Sequence, residues 1–177
     1  MAPVTKGSSM ATKTRTTFET RNDLPAESRE KLVELLNARL ADTFDLYSQI
    51  KQAHWSVRGP DFIQLHLLYD TVAEGVLGFV DEIAERAAAL GGLATGTVRM
   101  AAEASTLDEY PLDATSGPDT VDVVADRLAA YGAAVREAIE TADSELGDMD
   151  TSDLFTEISR AIDKHLWFVE AHHQADA

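Results

Sequence analysis

Two histidines twelve residues apart, His54 and His66, flank a Gly59-Pro60 break. A run of carboxylates follows: Asp61, Asp70, Glu74, Asp81, Glu82 and Glu85, with no Lys or Arg before Arg86. The break ends one helix and opens the next, because the residue before a proline is pushed out of the helical region. Imidazole and carboxylate donors without a thiolate suit iron, zinc or manganese and offer nothing that favours copper(I). The chemistry within reach of these side chains is the binding of such a metal ion.

At about 100° per residue, Leu65, Leu68, Val72, Val76, Phe79, Ile83, Ala87 and Leu90 fall on one stripe, the expected core face. His66, Asp70, Glu74, Asp81 and Glu85 fall on a stripe nearly opposite. Solvated acids opposite an apolar stripe are what any amphipathic helix carries. Against that ordinary explanation, Asp70 with Glu74 and Asp81 with Glu85 are like-charge pairs at i, i+4, each destabilising a bare helix by roughly a few tenths of a kcal/mol. A missing cation would relieve them. On spacing alone a solvated face and a metal site both stand. Asp70 and Asp81 lie about 16 Å apart along a helix axis, too far to share one ion, so one chain cannot close such a site. Two chains packed antiparallel through this face would set His54, His66 and Asp70 of one against Asp81 and Glu85 of the other. Gly75 and Gly78, each costing about 1 kcal/mol against Ala inside a helix, would let a partner helix approach, and they fit plain packing equally well.

The run AHW, then GP-x-F-x-x-x-H-x-x-x-D, then D-x-x-x-E resembles the signature of the Dps proteins, the DNA-binding proteins from starved cells or mini-ferritins. The likeness continues through ERAAALGG at 85–92, YPLD at 110–113 and IDKHLWF at 162–168, and covers the chain from about Leu32 to Glu170. The resemblance implies a ferroxidase centre built from His54, His66 and Asp70 of one subunit with Asp81 and Glu85 of its two-fold mate. It implies that Fe²⁺ is oxidised there to Fe³⁺, with hydrogen peroxide the usual oxidant, and stored as mineral inside a dodecameric shell. It also places Trp55 beside the iron centre, where ordinary aromatic packing is the plainer expectation. The shell's three-fold pore would be lined from the turn before the last helix, with Asp148 and Asp153 as candidates; acids at a helix N-terminus are stabilising without any such role.

The elements that must position these residues are helical. Pro25 with Glu27 and Glu30 suits a first turn, and Leu32, Leu36, Leu40, Phe44, Tyr47 and Ile50 keep helical spacing towards Gly59. The second helix is expected from about Asp61 to Leu90, stopping at Gly91-Gly92. A long connection, Leu93 to Gly117, carries a short helix near Thr97 to Ser105 and breaks at Tyr110-Pro111 and Gly117-Pro118. Val121, Val124, Leu128, Tyr131, Val135, Ile139 and Leu146 mark the third long helix; Leu154, Ile158, Ile162, His165 and Val169 mark the fourth, about Thr151 to His172. The expected fold is all-α: a ferritin-like four-helix bundle over 23–177 with a long crossover between the second and third helices. His165, on an apolar stripe, reads as a satisfied core histidine. Glu170-x-x-His173 matches the spacing of ordinary ferritin ligands only by coincidence, and His172-His173 read as surface residues.

The 177 residues are one domain's worth, 45% of them hydrophobic. With no cysteine, disulfides and thiolate metal sites are excluded. No apolar stretch approaches a membrane span and the N-terminus lacks a signal-peptide core, so a soluble cytoplasmic protein is expected. The net charge of −16 is uneven: residues 1–23 hold Lys6, Lys13, Arg15 and Arg21 against Glu19 and Asp23, while the remaining 11 basic and 29 acidic residues leave the body at −18. Residues 1–22, without hydrophobic period, read as a mobile basic tail. Gly7-Ser8-Ser9-Met10 reads equally as a cloning junction or as an extension ahead of a second start. An acidic body repels nucleic acid and attracts cations, so DNA binding and nucleoid association would rest on Lys6, Lys13, Arg15 and Arg21 acting multivalently and would be weak and salt-sensitive. The alternative is a non-enzymatic helical scaffold or partner-binding bundle whose acids are merely solvated.

Overall fold

In the computed structural model, which describes residues 17–174, the first helix, α1 (Ala26–Ser56), begins directly after Pro25, with Glu27 in its first turn and a Glu27–Lys31 ion pair at 2.8 Å. It ends where Val57 turns extended, and Gly59, at φ +111°, reverses the chain. The second helix, α2 (Phe62–Ala89), therefore runs back along α1 after five residues, as short connections require. The expected stripe of α2 faces inward: Leu65, Val72, Val76, Phe79, Ile83, Ala87 and Leu90 are buried, joined by Tyr69 and Ala73.

The crossover carries α3 (Val98–Ala104), capped by the Thr97 hydroxyl, and leads to α4 (Gly117–Glu140), whose Ser116 cap accepts from the Asp119 amide. Gly117-Pro118, expected as a break, is instead the first turn of α4, where proline's missing N–H is harmless. The third helix also stops short of Leu146: after Glu140 a single π turn spans Thr141–Glu145, and α5 (Met149–Glu170) starts two residues earlier than expected. α1 pairs with α2 and α4 with α5, and the two pairs pack through α1 against α4 and α2 against α5. The result is a four-helix bundle around one core.

A long unpaired connection carries backbone groups that need partners. Polar residues spaced along α1 supply them. Asn37 holds the Leu93 carbonyl and the Thr95 amide, Asp42 the Thr106 amide and hydroxyl, Asp45 the Ser105 hydroxyl, and Gln49 the Asp108 carbonyl. At the far end the Arg58 amide donates to the Thr115 carbonyl at 2.8 Å. The crossover is thus tied along α1 from Asn37 to Gln49 and, through Arg58, to the loop between the first two helices.

The boundary of the tail moves. Residues 17–22, expected to be mobile, lie against the body: Thr17 bridges antiparallel to Gly92, and the Phe18 amide donates to the Gly91 carbonyl at 2.7 Å. Gly91 permits this because it sits at φ +83° and because a Cβ there would stand 2.7 Å from the Phe18 oxygen. Lys6, Lys13 and Arg15 lie outside the described residues; Arg21 is exposed. Gly91→Ala should cost about 1–2 kcal/mol for the left-handed backbone alone and should release this segment, so that the Phe18 amide exchanges with solvent faster. A Phe18 amide that keeps its protection in the variant would refute the clamp.

Candidate metal centre

His54 stands in the last turn of α1 and His66 in the second turn of α2, and the short reversal between them brings the rings face to face. Their centroids are 3.7 Å apart and their planes 20° from parallel. Each ring is fixed by the other's backbone: His54 Nδ1 lies 2.7 Å from the His66 carbonyl, and His66 Nδ1 2.9 Å from the His54 carbonyl. The His54 carbonyl is one of the four at a helix C-terminus that lack an intrahelical partner, so the contact also caps α1. A carbonyl oxygen only accepts. Both Nδ1 atoms must therefore carry the proton, and in the neutral rings both Nε2 atoms present a lone pair to whatever approaches. This is the arrangement by which an outer hydrogen bond sets the tautomer of a metal-ligating histidine.

Asp70, one turn after His66 and half-buried, completes the local group, its Oδ1 4.0 Å from His54 Nδ1. That oxygen is also 2.5 Å from Lys51 Nζ. The lysine hydrogen bond holds the Asp70 carboxyl below its ordinary range despite partial desolvation, and the Lys51 charge adds to the effect. Spacing along α2 alone missed Lys51. It lies three residues before His54 and four before Trp55, on one face of α1, so the helical period of α1 could have found it. The cation that Asp70 called for is thus within the same chain. Glu74, Asp81 and Glu85 are exposed, and none has an ion-pair partner among the described residues.

His54, His66 and Asp70 are brought together; Asp81 and Glu85 lie about three and four turns beyond Asp70 along α2. Among the described residues no three His, Cys, Asp or Glu side chains converge closely enough to hold a metal ion. The surface around the histidines is apolar and uncovered: Ile63, Leu67 and Trp55 are 55%, 58% and 60% exposed, and Phe62 packs obliquely on the His66 ring at 5.0 Å. Trp55 does not pack in the core. It walls an open recess of about 590 Å³ with His54, Arg58, Gly59, Phe62 and His66.

Several other expectations shift. Gly75 makes room inside the chain, since a Cβ there would meet His165 Nε2 at 2.7 Å; Gly78 has nothing near it and stays open to the outward face. His165 is not satisfied: its buried Nδ1 has no partner, and burial, followed by the neighbouring Lys164 charge, pushes its pKa down. His172 and His173 are on the surface, the latter 3.0 Å from Asp122. Asp148 is not a free pore carboxylate. It is 4% exposed and takes two hydrogen bonds from Arg86 Nη2, at 2.7 and 2.9 Å, and one from Thr151 Oγ1 at 2.5 Å. Asp153 remains exposed.

This bundle, with its long crossover and with imidazole and carboxylate donors on one outward helix face, defines the ferritin-like class, and a family model described as a ferritin-like domain matches residues 33–176. Within that class the chain belongs to the Dps family. It is 40% identical over 158 residues to a DNA protection during starvation protein of Agrobacterium fabrum, spanning 89% of this chain and 97% of that one. Its fold superposes on Mycobacterium smegmatis Dps with a TM-score of 0.83 at 29% identity, covering 88% of this chain and 93% of the other. An archaeal Dps homologue from Halobacterium salinarum gives 0.84 at 27% identity over 97% and 95%.

Burial raises the Asp148 pKa, but the hydrogen bonds from Thr151 and Arg86 outweigh it and the net shift is downward. A folded-state pKa below the unfolded one, near 3.9 for Asp, gives stability that is complete above the unfolded value and lost as pH falls through the folded one. Asp148→Ala should therefore lower the free energy of unfolding by about 3 kcal/mol at pH 7, since it strands a mostly buried Arg86, and should flatten the loss of stability between pH 5 and pH 3. Asp153→Ala should stay within about 0.5 kcal/mol of the parent. Urea titrations at several pH values check both.

Proposed function

We propose that this chain oxidises Fe²⁺ to Fe³⁺ at centres shared between two copies and stores the product inside a homo-oligomeric shell, a dodecamer in this family. The observation that carries the reading is the crossed pair of histidines, which leaves two neutral Nε2 donors on an open face beside Asp70. A two-fold contact is isologous, so α2 meeting its own copy antiparallel repeats every contact and makes two identical centres. In each, His54, His66 and Asp70 of one subunit would be completed by Asp81 and Glu85 contributed by the other. Exposed Ile63 and Leu67 on the same side of α2 are the apolar surface such a contact would cover. Open space at Gly78 favours close approach of that helix.

Iron is the substrate here. Two Fe²⁺ give up one electron each, the O–O bond of hydrogen peroxide breaks, and two protons are taken up to leave two Fe³⁺ and two waters. Carrying both electrons to one peroxide at paired irons avoids the one-electron cleavage that releases a hydroxyl radical. The chain's own residues hold the ions: neutral imidazoles add no charge, and the carboxylates offset that of the metal. The strongly acidic body favours cation entry, with exposed Asp153 as the remaining pore candidate.

DNA binding is a separate part of the proposal. It would run through Lys6, Lys13, Arg15 and Arg21 on many tails at once and fall steeply with salt. The name of the Agrobacterium relative, DNA protection during starvation protein, supports looking for it.

His54→Ala or Asp81→Ala should slow peroxide-dependent iron oxidation by at least about tenfold, the order expected when a metal ligand or its support is lost, while the protein keeps its size. Co-assembly of the two variants tests sharing directly. In a mixed pair one centre carries both lesions and the other carries none, so the activity lost by each variant alone should return in part. Full activity in both single variants would overturn the assignment. Deletion of residues 1–22 should abolish any mobility shift of DNA, and a shift that survives deletion would refute the tail's role.

A further inference from the structure

His172 and His173, in the turn that follows α5, have no part in the chemistry above, yet each is fixed by a different acceptor. His172 Nδ1 lies 3.0 Å from the Phe168 carbonyl and 3.3 Å from that of Val169. Carbonyls only accept, so the proton sits on Nδ1 and Nε2 keeps its lone pair. His173 is tied by its other nitrogen: Nε2 stands 3.0 Å from Asp122 Oδ1, which leaves Nδ1 as the free donor atom of the neutral ring. Both residues border one small recess of about 110 Å³, walled also by Asp61, Leu65, Val121 and the first residues of α4. Asp61 brings a carboxylate to it. That side chain precedes α2 without capping it and has no hydrogen-bond or ion-pair partner among the described residues. Its Oδ2 is 3.8 Å from where a Cβ on Gly117 would stand, which sets the carboxylate against the start of α4.

We infer that His172 Nε2, His173 Nδ1 and the Asp61 carboxylate form a second metal site, separate from the His54–His66 centre, for a divalent transition ion of zinc's class. Two imidazoles and one carboxylate are a donor set that favours such an ion over Mg²⁺ and Ca²⁺, which are held by oxygen. Ordinary surface histidines leave both ring nitrogens to water. Here each ring has one nitrogen tied to a protein acceptor and the other free beside the same recess. Asp122 plays the part of the outer carboxylate that fixes the tautomer of a ligating histidine. The three donors do not meet at one point in the ion's absence. All three residues are exposed and free to turn, so the ion gathers them. The role of such a site is structural: an ion held there clips the turn after α5 to the residue just ahead of α2, the helix that carries His66 five positions later.

The test titrates Zn²⁺ by calorimetry into the full-length assembled protein carrying His54→Ala, so that the proposed iron centre is impaired. Excess Mg²⁺ fills sites made of oxygen alone. One Zn²⁺ per chain should still bind, and His172→Gln, His173→Gln and Asp61→Asn should each weaken it at least about tenfold, a 1.4 kcal/mol change. Asp122→Asn, which removes only the outer partner of His173, should also weaken it by about tenfold. The four residues are exposed, so each variant should keep its assembly size. Hydrogen exchange gives a second readout: Zn²⁺ should slow the amides of His172 and His173, which donate to the Val169 and Glu170 carbonyls, and Asp61→Asn should abolish the slowing. Zn²⁺ affinity that Asp61→Asn leaves unchanged would reduce the feature to a pair of adjacent histidines and overturn the site. Zn²⁺ binding that is indifferent to His172→Gln and His173→Gln would overturn it equally, and neither result would touch the assignment of the His54–His66 centre.

Discussion

Each of the two histidine rings is held by the main chain of the other, and most of the molecule can be understood as what keeps those two backbone segments in register. A one-residue slip of α1 along α2 would move a carbonyl by about 1.5 Å, enough to break bonds of 2.7 and 2.9 Å. The tolerance is small, so the loop between the helices cannot be left to itself. Gly59 reverses it at a positive φ, and the crossover, anchored along α1 by Asn37, Asp42, Asp45 and Gln49, returns to pin Arg58 through Thr115. A long connection that would otherwise be a liability becomes the brace of the site. The electronic consequence follows from the geometric one, because carbonyls that only accept leave each imidazole a single choice of tautomer.

Charge sets the second constraint. The outward face of α2 combines like-charge pairs with exposed aliphatic side chains, an arrangement that a lone helix in water has no reason to favour. Lys51 relieves one carboxylate from within the chain, and Asp81 and Glu85 keep no such relief among the described residues. The unpaired end and the paired end of the face lie about 16 Å apart along the axis, so in the proposed centre only an antiparallel second copy, and no rearrangement within one chain, would set acid without cation beside the imidazoles. The same asymmetry explains why Arg86 belongs to a different task. It sits one residue after Glu85 yet turns inward to Asp148 and Thr151, joining the end of α2 to the start of α5.

Much of the bundle is legible in the sequence, because hydrophobic period and Gly/Pro punctuation are local signals. The four long helices fall where Leu32 to Ile50, Leu65 to Leu90, Val121 to Val135 and Ile158 to Val169 place them, with ends displaced by a few residues. What the period blurs is phase: Leu46 and Phe155 are buried where Phe44, Tyr47 and Leu154 are only partly so. His54, His66 and Asp70 could be grouped because one break and one turn of helix separate them. Lys51 could not be reached from α2 alone, since its partner is 19 residues away on another helix. Asp148 is a pore candidate from its acidic cluster and the family resemblance, but it is buried against Arg86, 62 positions distant, which the cluster does not announce. Gly75 fits an outward notch and internal packing equally well from the sequence; the packing is internal, against His165, a contact between α2 and α5 that no spacing announces.

Position along α2 also separates the two activities proposed for this chain. The histidine pair sits at its start, and the Thr17–Gly92 bridge that tethers the N-terminal segment sits just beyond its end. From His66 to Gly91 is about 37 Å along the axis, several Debye lengths at physiological salt. Within one subunit, Thr17 therefore lies at the pole of α2 opposite the histidine pair. The −18 carried by residues 24–177 repels a polyanion and attracts cations, so any nucleic acid contact has to work against the charge of the body.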